Sequence, residues 1–214
     1  VAAKIGASGE KLPTFASAFP GGFGEDIGLK LAGSGGDGAQ TAAMLLTMAA
    51  IHEGFDATHI PSYGPESRGG TSYADVRIAR SEVLSPAAPE PDVLVAFNAP
   101  SLAKFGPSVK PGGIVVYDSS VVHEVPPLAP GVRVIPVPAS EIARDLGRVM
   151  VKNIVAIGAL AGASNLFPEE TFLTTIRTAL KDKCALIPLN EQAFAWGVKV
   201  ARECLAAANA EVRS

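Results

Sequence analysis

Four glycines within six residues form the first stretch that could do chemistry. In LKLAGSGGDGAQTAAMLLTMAA, residues 29–50, they fall at Gly33, Gly35, Gly36 and Gly38, after an apolar run and before a helical pattern. A G-x-G-x-x-G turn between strand and helix can cradle a phosphate, because bare backbone N–H groups reach an anion at the positive end of the helix. The same residues contain Gly36-Asp37-Gly38, which is how a thiamine diphosphate signature opens.

The surroundings weaken both readings. A dinucleotide site wants an Asp or Glu about 20 residues further on, at the end of the second strand. Asp56 stands near that distance, but at the start of the strand. Asp37 brings a negative side chain to the place a pyrophosphate would take, and like charges repel. With no anion bound, the same carboxylate stabilises a helix N-terminus. The thiamine signature continues with an Asn that would fall within residues 63–68, where there is none, and the first Asn in the chain is Asn98. The plain alternative is a tight turn whose glycines allow positive φ and close packing. A self-contained dehydrogenase or binding module using the Gly33–Gly38 turn stays open as a second reading.

A second candidate is PSYGPESRGGTSYADVRI, residues 61–78. Tyr63, Gly64, Glu66, Ser67, Arg68, Gly69 and Gly70 crowd a loop that follows the second predicted strand. The Arg68 guanidinium suits a phosphate or a carboxylate bidentately. Gly69 and Gly70 let backbone approach a ligand or a neighbouring chain. The loop is expected at the carboxyl edge of the sheet beside the Gly-rich turn, where open α/β sheets bind ligands. The competing reading has Arg68 tying down its own loop.

Those residues need strands and helices to carry them. Buried strands are expected over Ile27–Ala32, Val93–Asn98 and GGIVVYDSS, with a short second strand at DATHIPS and a further one at VRVIPVP. The strand from about Thr71 alternates Ala74, Val76 and Ile78 with Asp75 and Arg77, which suggests an edge or a hairpin. Helices are expected over Gln40–Glu53, SLAKFG, SEIARDLG with Ser140 as N-cap, VKNIVAIGALAGASN, FPEETFLTTIRTAL and NEQAFAWGVKVARECLAAA. Gly158 and Gly162 would let the fourth of these approach a neighbour closely. The fold class is α/β: a mostly parallel, Rossmann-like sheet with helices on both faces and a helical C-terminal part.

At 214 residues the chain suits one α/β domain, placed at residues 27–208 and followed by a tail at 209–214. Residues 1–26 read as an arm, and its Phe15, Phe19 and Phe23 suggest docking on a partner. Apolar residues make up 48% and the net charge is −3, which gives no reason to expect nucleic acid or an anionic membrane as partner. Apolar runs are broken well before the roughly 20 residues of a membrane span. Two cysteines, Cys184 and Cys204, are too few for an iron–sulfur site, and a cytoplasmic location is expected. His52, His59 and His123 stand in no triad or metal spacing.

Taken together, GSGGDG, SYGPESRGG, VLVAFNAPSLAKF, PGGIVVYDSS, KNIVAIGALAG and NEQAFAWG resemble the gamma subunit or gamma domain of 2-oxoacid:ferredoxin oxidoreductases, over residues 27–200. That family includes pyruvate, 2-ketoisovalerate, 2-oxoglutarate, indolepyruvate and phenylglyoxylate types. It usually has Gln where this chain has Asp37, and the arm before Ile27 is longer than a bare gamma subunit's. The resemblance implies a non-catalytic subunit of an enzyme that decarboxylates a 2-oxoacid to acyl-CoA. It implies a complex that uses thiamine diphosphate, Mg2+, [4Fe-4S] clusters and coenzyme A, none of them bound by this chain alone. Thiamine-binding alpha and beta subunits and a ferredoxin-like iron–sulfur subunit are the expected partners, with a flavin subunit as an optional addition. The resemblance gives the gamma chain two tasks: assembling the complex and closing the coenzyme A side of the active site. Its contact residues are expected among Gly33, Gly35, Gly36, Asp37, Gly38, Tyr63, Gly64, Glu66, Ser67, Arg68, Gly69 and Gly70. A purely structural subunit with no ligand contact is the third reading.

Overall fold

The run DIGLKLAGS forms the strand β1, Asp26–Ser34, and every other element is placed around it. The computed structural model describes residues 24–64 and 70–211. The expected arm therefore lies, up to residue 23, outside the described residues. After β1 come α1 (Ala39–His52), β2 (Asp56–Tyr63), β3 (Thr71–Ala79), β4 (Val93–Ala96) and α2 (Ala99–Phe105). They are followed by β5 (Ile114–Asp118), β6 (Arg133–Val137), α3 (Ala139–Asp145), α4 (Lys152–Ser164), α5 (Glu169–Ala179) and α6 (Ile187–Glu211).

The six strands lie in the order β2-β3-β1-β4-β5-β6. Pairings β1–β4, β4–β5 and β5–β6 are parallel. Only β3 runs against the rest, antiparallel to both β1 and β2. The mostly parallel sheet expected from the alternation of strands and helices is therefore present. Ile27, Leu29 and Leu31 of β1 point into a large core with α1, α4, α5 and α6. Ala32, Leu94, Ala96 and Val115 point into a smaller one on the other face, closed by Leu102 and Phe105 of α2.

The alternating strand β3 does form a hairpin with β2, but it lies inside the sheet, and β2 is the edge. Its alternation has a different cause. Ala74, Val76 and Ile78 are buried in the large core, while Asp75 and Arg77 face polar partners on β1. Asp75 pairs with Lys30, its direct register partner, and Arg77 reaches Asp26 at 2.8 Å. The buried Lys30 ammonium also lies 4.7 Å and 5.0 Å from the ring centres of Tyr73 and Phe105. Pairing and ring contact offset the cost of withdrawing its charge from water.

Ser140 is not the N-cap of α3, because the helix starts at Ala139 after Pro138. Its hydroxyl and N–H donate instead to the Asp118 carboxylate at the end of β5, at 2.5 Å and 3.2 Å. A carboxylate reaching across from a neighbouring strand is a stronger acceptor than a serine hydroxyl at the cap. Gly158 and Gly162 do allow close approach: a Cβ on Gly158 would lie 2.1 Å from the Phe194 carbonyl oxygen of α6. No helix among the described residues is long and apolar enough to cross a membrane.

Candidate functional site

The Gly-rich turn begins where β1 ends. Gly36 and Gly38 hold φ of 100° and 84°, the left-handed region that favours glycine. A Cβ on Gly33 would meet the Asp37 carboxylate at 2.8 Å, and one on Gly38 would meet the Asn153 side chain at 2.9 Å. Gly35 differs from the other three. Nothing lies within 4 Å of where its Cβ would be, and its φ is not positive.

Asp37 folds back into the turn. Its carboxylate accepts the Ser34 N–H at 2.6 Å and the Asn98 amide at 3.2 Å, and it pairs with Lys152 at 2.6 Å. Asn98 also donates to the Ser34 hydroxyl at 2.9 Å and caps α2 by accepting the Ser101 N–H. The turn thus carries its own anion, neutralised by a lysine from α4. This opposes use of the turn for a dinucleotide pyrophosphate. It also shows what Asp does where a Gln was expected from the resemblance: a carboxylate accepts from three donors at once.

The first turn of α1 is fixed to the hairpin by Gln40. Its amide donates to the Tyr73 carbonyl at 2.8 Å and to the Ser72 hydroxyl at 3.2 Å. Its carbonyl faces His59 Nε2 at 3.2 Å, so that nitrogen carries the proton. Burial lowers the His59 pKa from its ordinary value of 6.5 and favours this neutral form.

Gly70, the first described residue of the hairpin's second arm, lies against the turn. The Gly35 N–H donates to the Gly70 carbonyl at 3.3 Å, and the Gly64 N–H to the Thr71 carbonyl at 2.8 Å. Between them a cleft of about 260 Å³ opens, with Gly35, Gly36, Gln40, Thr41, Tyr63 and Met150 among its walls. Tyr63 is 71% exposed at its rim. Gly33, Gly35, Gly36, Asp37, Gly38, Tyr63, Gly64 and Gly70 are thus brought to one end of the sheet. Glu66, Ser67, Arg68 and Gly69 lie outside the described residues.

Sequence reasoning missed Ser34, Gln40, Asn98 and Lys152 as parts of this assembly. Asn98 had a readable signal, since an Asn before Ala99-Pro100 is an N-cap with Pro in the first turn. Lys152 had none, being 115 residues from Asp37. Among the described residues no three His, Cys, Asp or Glu side chains gather to hold a metal ion. The cleft offers exposed backbone and the hydroxyl-bearing residues Ser34, Thr41, Tyr63 and Ser72, which suits binding.

The pyruvate ferredoxin/flavodoxin oxidoreductase family matches residues 28–200. The ketoisovalerate oxidoreductase subunit VorA of Methanothermobacter thermautotrophicus is 39% identical over 180 residues, covering 83% of this chain and 37% of its own length. The chain thus spans little more than a third of that curated relative. The 2-oxoglutarate synthase subunit KorC of Archaeoglobus fulgidus is 30% identical over 178 residues, 83% of this chain and 89% of its own. Among solved structures, the gamma subunit of a keto/oxoacid ferredoxin oxidoreductase from Geobacter sulfurreducens superposes with a TM-score of 0.70 at 29% identity, over 82% of this chain and 98% of that one. A 2-oxoglutarate:ferredoxin oxidoreductase from Magnetococcus marinus, solved with 2-oxoglutarate, coenzyme A and succinyl-CoA bound, gives 0.76 at 26% identity, over 85% and 32%.

Proposed function

The chain belongs to the pyruvate ferredoxin/flavodoxin oxidoreductase family, and from that premise we propose that it is the gamma component of a multi-subunit 2-oxoacid oxidoreductase. The overall reaction removes CO2 from a 2-oxoacid, passes two electrons to an acceptor and transfers the acyl group to the thiol of coenzyme A. Thiamine diphosphate with Mg2+ supplies the electron sink for decarboxylation in such a complex, and iron–sulfur clusters carry the electrons away. The groups gathered at the Gly-rich turn offer no donor set for any of these. Those cofactors belong on alpha- and beta-type chains and a ferredoxin-like chain, with a flavin chain where electrons go on to NAD.

This chain's part is to bind and to exclude water. One observation carries the reading: the glycine turn meets Gly70 of the hairpin at the carboxyl edge of the sheet, and a cleft walled in part by bare glycine backbone lies between the turn and Tyr63. Such a surface becomes a closed cavity only when another chain or a large ligand covers it. Coenzyme A is the ligand that fits the reading, since glycine backbone lets a phosphate come close and the sequence puts an arginine, Arg68, in the adjoining loop, a residue type that suits a phosphate bidentately. A partner carboxylate would use the same groups. A cytoplasmic site of action goes with this assignment.

The test is to isolate the tagged chain from its host without oxygen. Stoichiometric thiamine- and cluster-bearing chains, with 2-oxoacid- and coenzyme A-dependent acceptor reduction, are expected. Arg68→Ala should raise the KM for coenzyme A or weaken assembly. A lone, colourless protein stabilised by a dinucleotide would overturn the reading.

A further inference from the structure

A second cavity lies beside the cleft, on the far side of Met150. It measures about 320 Å³ and sits between α1, α4, α5 and the 3₁₀ turn before α6. Leu45, Ile154, Ile176 and Leu180 form its apolar interior. Asn153, in the first turn of α4, also lines it. This residue is only 6% exposed, yet among the described residues its carboxamide has no hydrogen-bond partner. Its oxygen and nitrogen are not among the fully buried polar atoms without a partner, so the amide opens to the cavity and is free to meet something that enters.

The rim has two distinctive features. Arg148 and Lys183 both line the cavity and are exposed, neither has an ion-pair partner among the described residues, and no acidic side chain lines it. The margin is otherwise apolar: Met44 and Met150, which line the cavity, and the adjacent Val149 are 44%, 67% and 58% exposed. A small ligand filling the cavity would leave that apolar margin in water. A polypeptide would cover it, and flexible Met side chains suit such a contact. A free carboxamide, donor and acceptor together, matches a peptide group on both of its sides.

We propose that this cavity receives a segment of a partner chain that inserts a large apolar side chain, lays a peptide group on Asn153 and offers a neighbouring Asp or Glu to Arg148 and Lys183. The inference rests on the gamma-component reading above and gives that component a second contact, adjoining the coenzyme A cleft, with which the cavity shares Gly38, Thr41 and Met150. Unpaired rim cations beside an apolar socket favour a partner of this charge.

The test uses the assembled complex. With the photoreactive residue benzoylphenylalanine in place of Met44, irradiation should link this chain to a thiamine- or cluster-bearing partner, at a peptide where an apolar residue adjoins Asp or Glu. Links to residues 1–23 of this chain, to a second copy, or to no polypeptide would overturn the proposal. In parallel, Arg148→Glu with Lys183→Glu should weaken association by roughly tenfold or more and flatten its salt dependence. The melting temperature of the isolated chain should stay unchanged. Unaltered affinity would sink the socket while leaving the gamma-component reading intact. Recovery of the native chain without any partner would overturn both.

Discussion

Glycine does opposite work at two places in this molecule. Where α4 crosses α6, three glycines are forced by backbone: a Cβ on Gly158, Gly162 or Gly197 would stand 2.1, 2.8 and 2.0 Å from carbonyl oxygens of the facing helix. At the carboxyl edge of the sheet, Gly35 has nothing within 4 Å of its missing Cβ. The first group is explained entirely by this chain's own packing. Gly35 is not, and the proposed contact surface would give its bare, uncrowded backbone a use: something from outside can come close there. On that proposal the glycine motif mixes structural and functional positions, and the space around each glycine tells which is which.

The sharpest way to break this comparison is to add one carbon to the helix crossing. Gly197→Ala should destabilise the isolated chain by about 3 kcal/mol or more, because the atom it meets is backbone and cannot swing aside. Urea unfolding measures this directly. An unchanged midpoint would mean the helices are not locked as described.

The next effect belongs to the glycine turn itself. Asp37→Ala strips the Ser34 N–H of its acceptor and leaves the Lys152 ammonium, whose side chain is 14% exposed, without its counter-ion. A loss of roughly 3 kcal/mol follows from an orphaned, largely buried charge. Asp37→Asn keeps an acceptor for Ser34 and should lose less. If both variants unfolded like the native chain, Asp37 would not be the internal anion of the turn. It could then be reconsidered as a group that faces a ligand.

The sheet could be read from the sequence because its signals are local. Apolar runs such as VLVA and IVVY announce buried parallel strands, and the glycines mark the turn between β1 and α1. The place of β3 within the sheet was not legible, since its alternation reflects ion pairs with β1, and Lys30 reads on its own as an intruder in an apolar strand. The candidate site was half legible. Gly33–Gly38 and the residues around Tyr63 and Gly70 do meet, but what holds them together does not show in sequence. Gln40 reads as an ordinary helix start, and Lys152 finds Asp37 only through the fold.

A smaller effect comes from His59, half-buried against Gln40. Burial depresses its folded pKa below 6.5, so the unfolded chain takes up the proton first as pH falls. Stability should therefore be full above about pH 6.5 and decline as the pH drops below it. His59→Gln should flatten that part of the melting-temperature profile. Equal slopes in native and variant proteins would assign the pH dependence to other groups.

The smallest expected effect on the isolated chain discriminates best between the two kinds of glycine. Gly35→Ala meets no atom, and it restricts the unfolded chain more than the folded one. Its stability should stay level or rise by up to about 1 kcal/mol. In the assembled complex the same methyl group stands where a ligand or partner backbone should approach, so coenzyme A affinity or subunit association should fall. The two measurements must diverge for the cleft to be a contact surface. If the variant melts normally, assembles normally and turns over with an unchanged KM for coenzyme A, Gly35 is an incidental glycine. The cleft would then lose the observation that distinguishes it from an ordinary strand-to-helix turn.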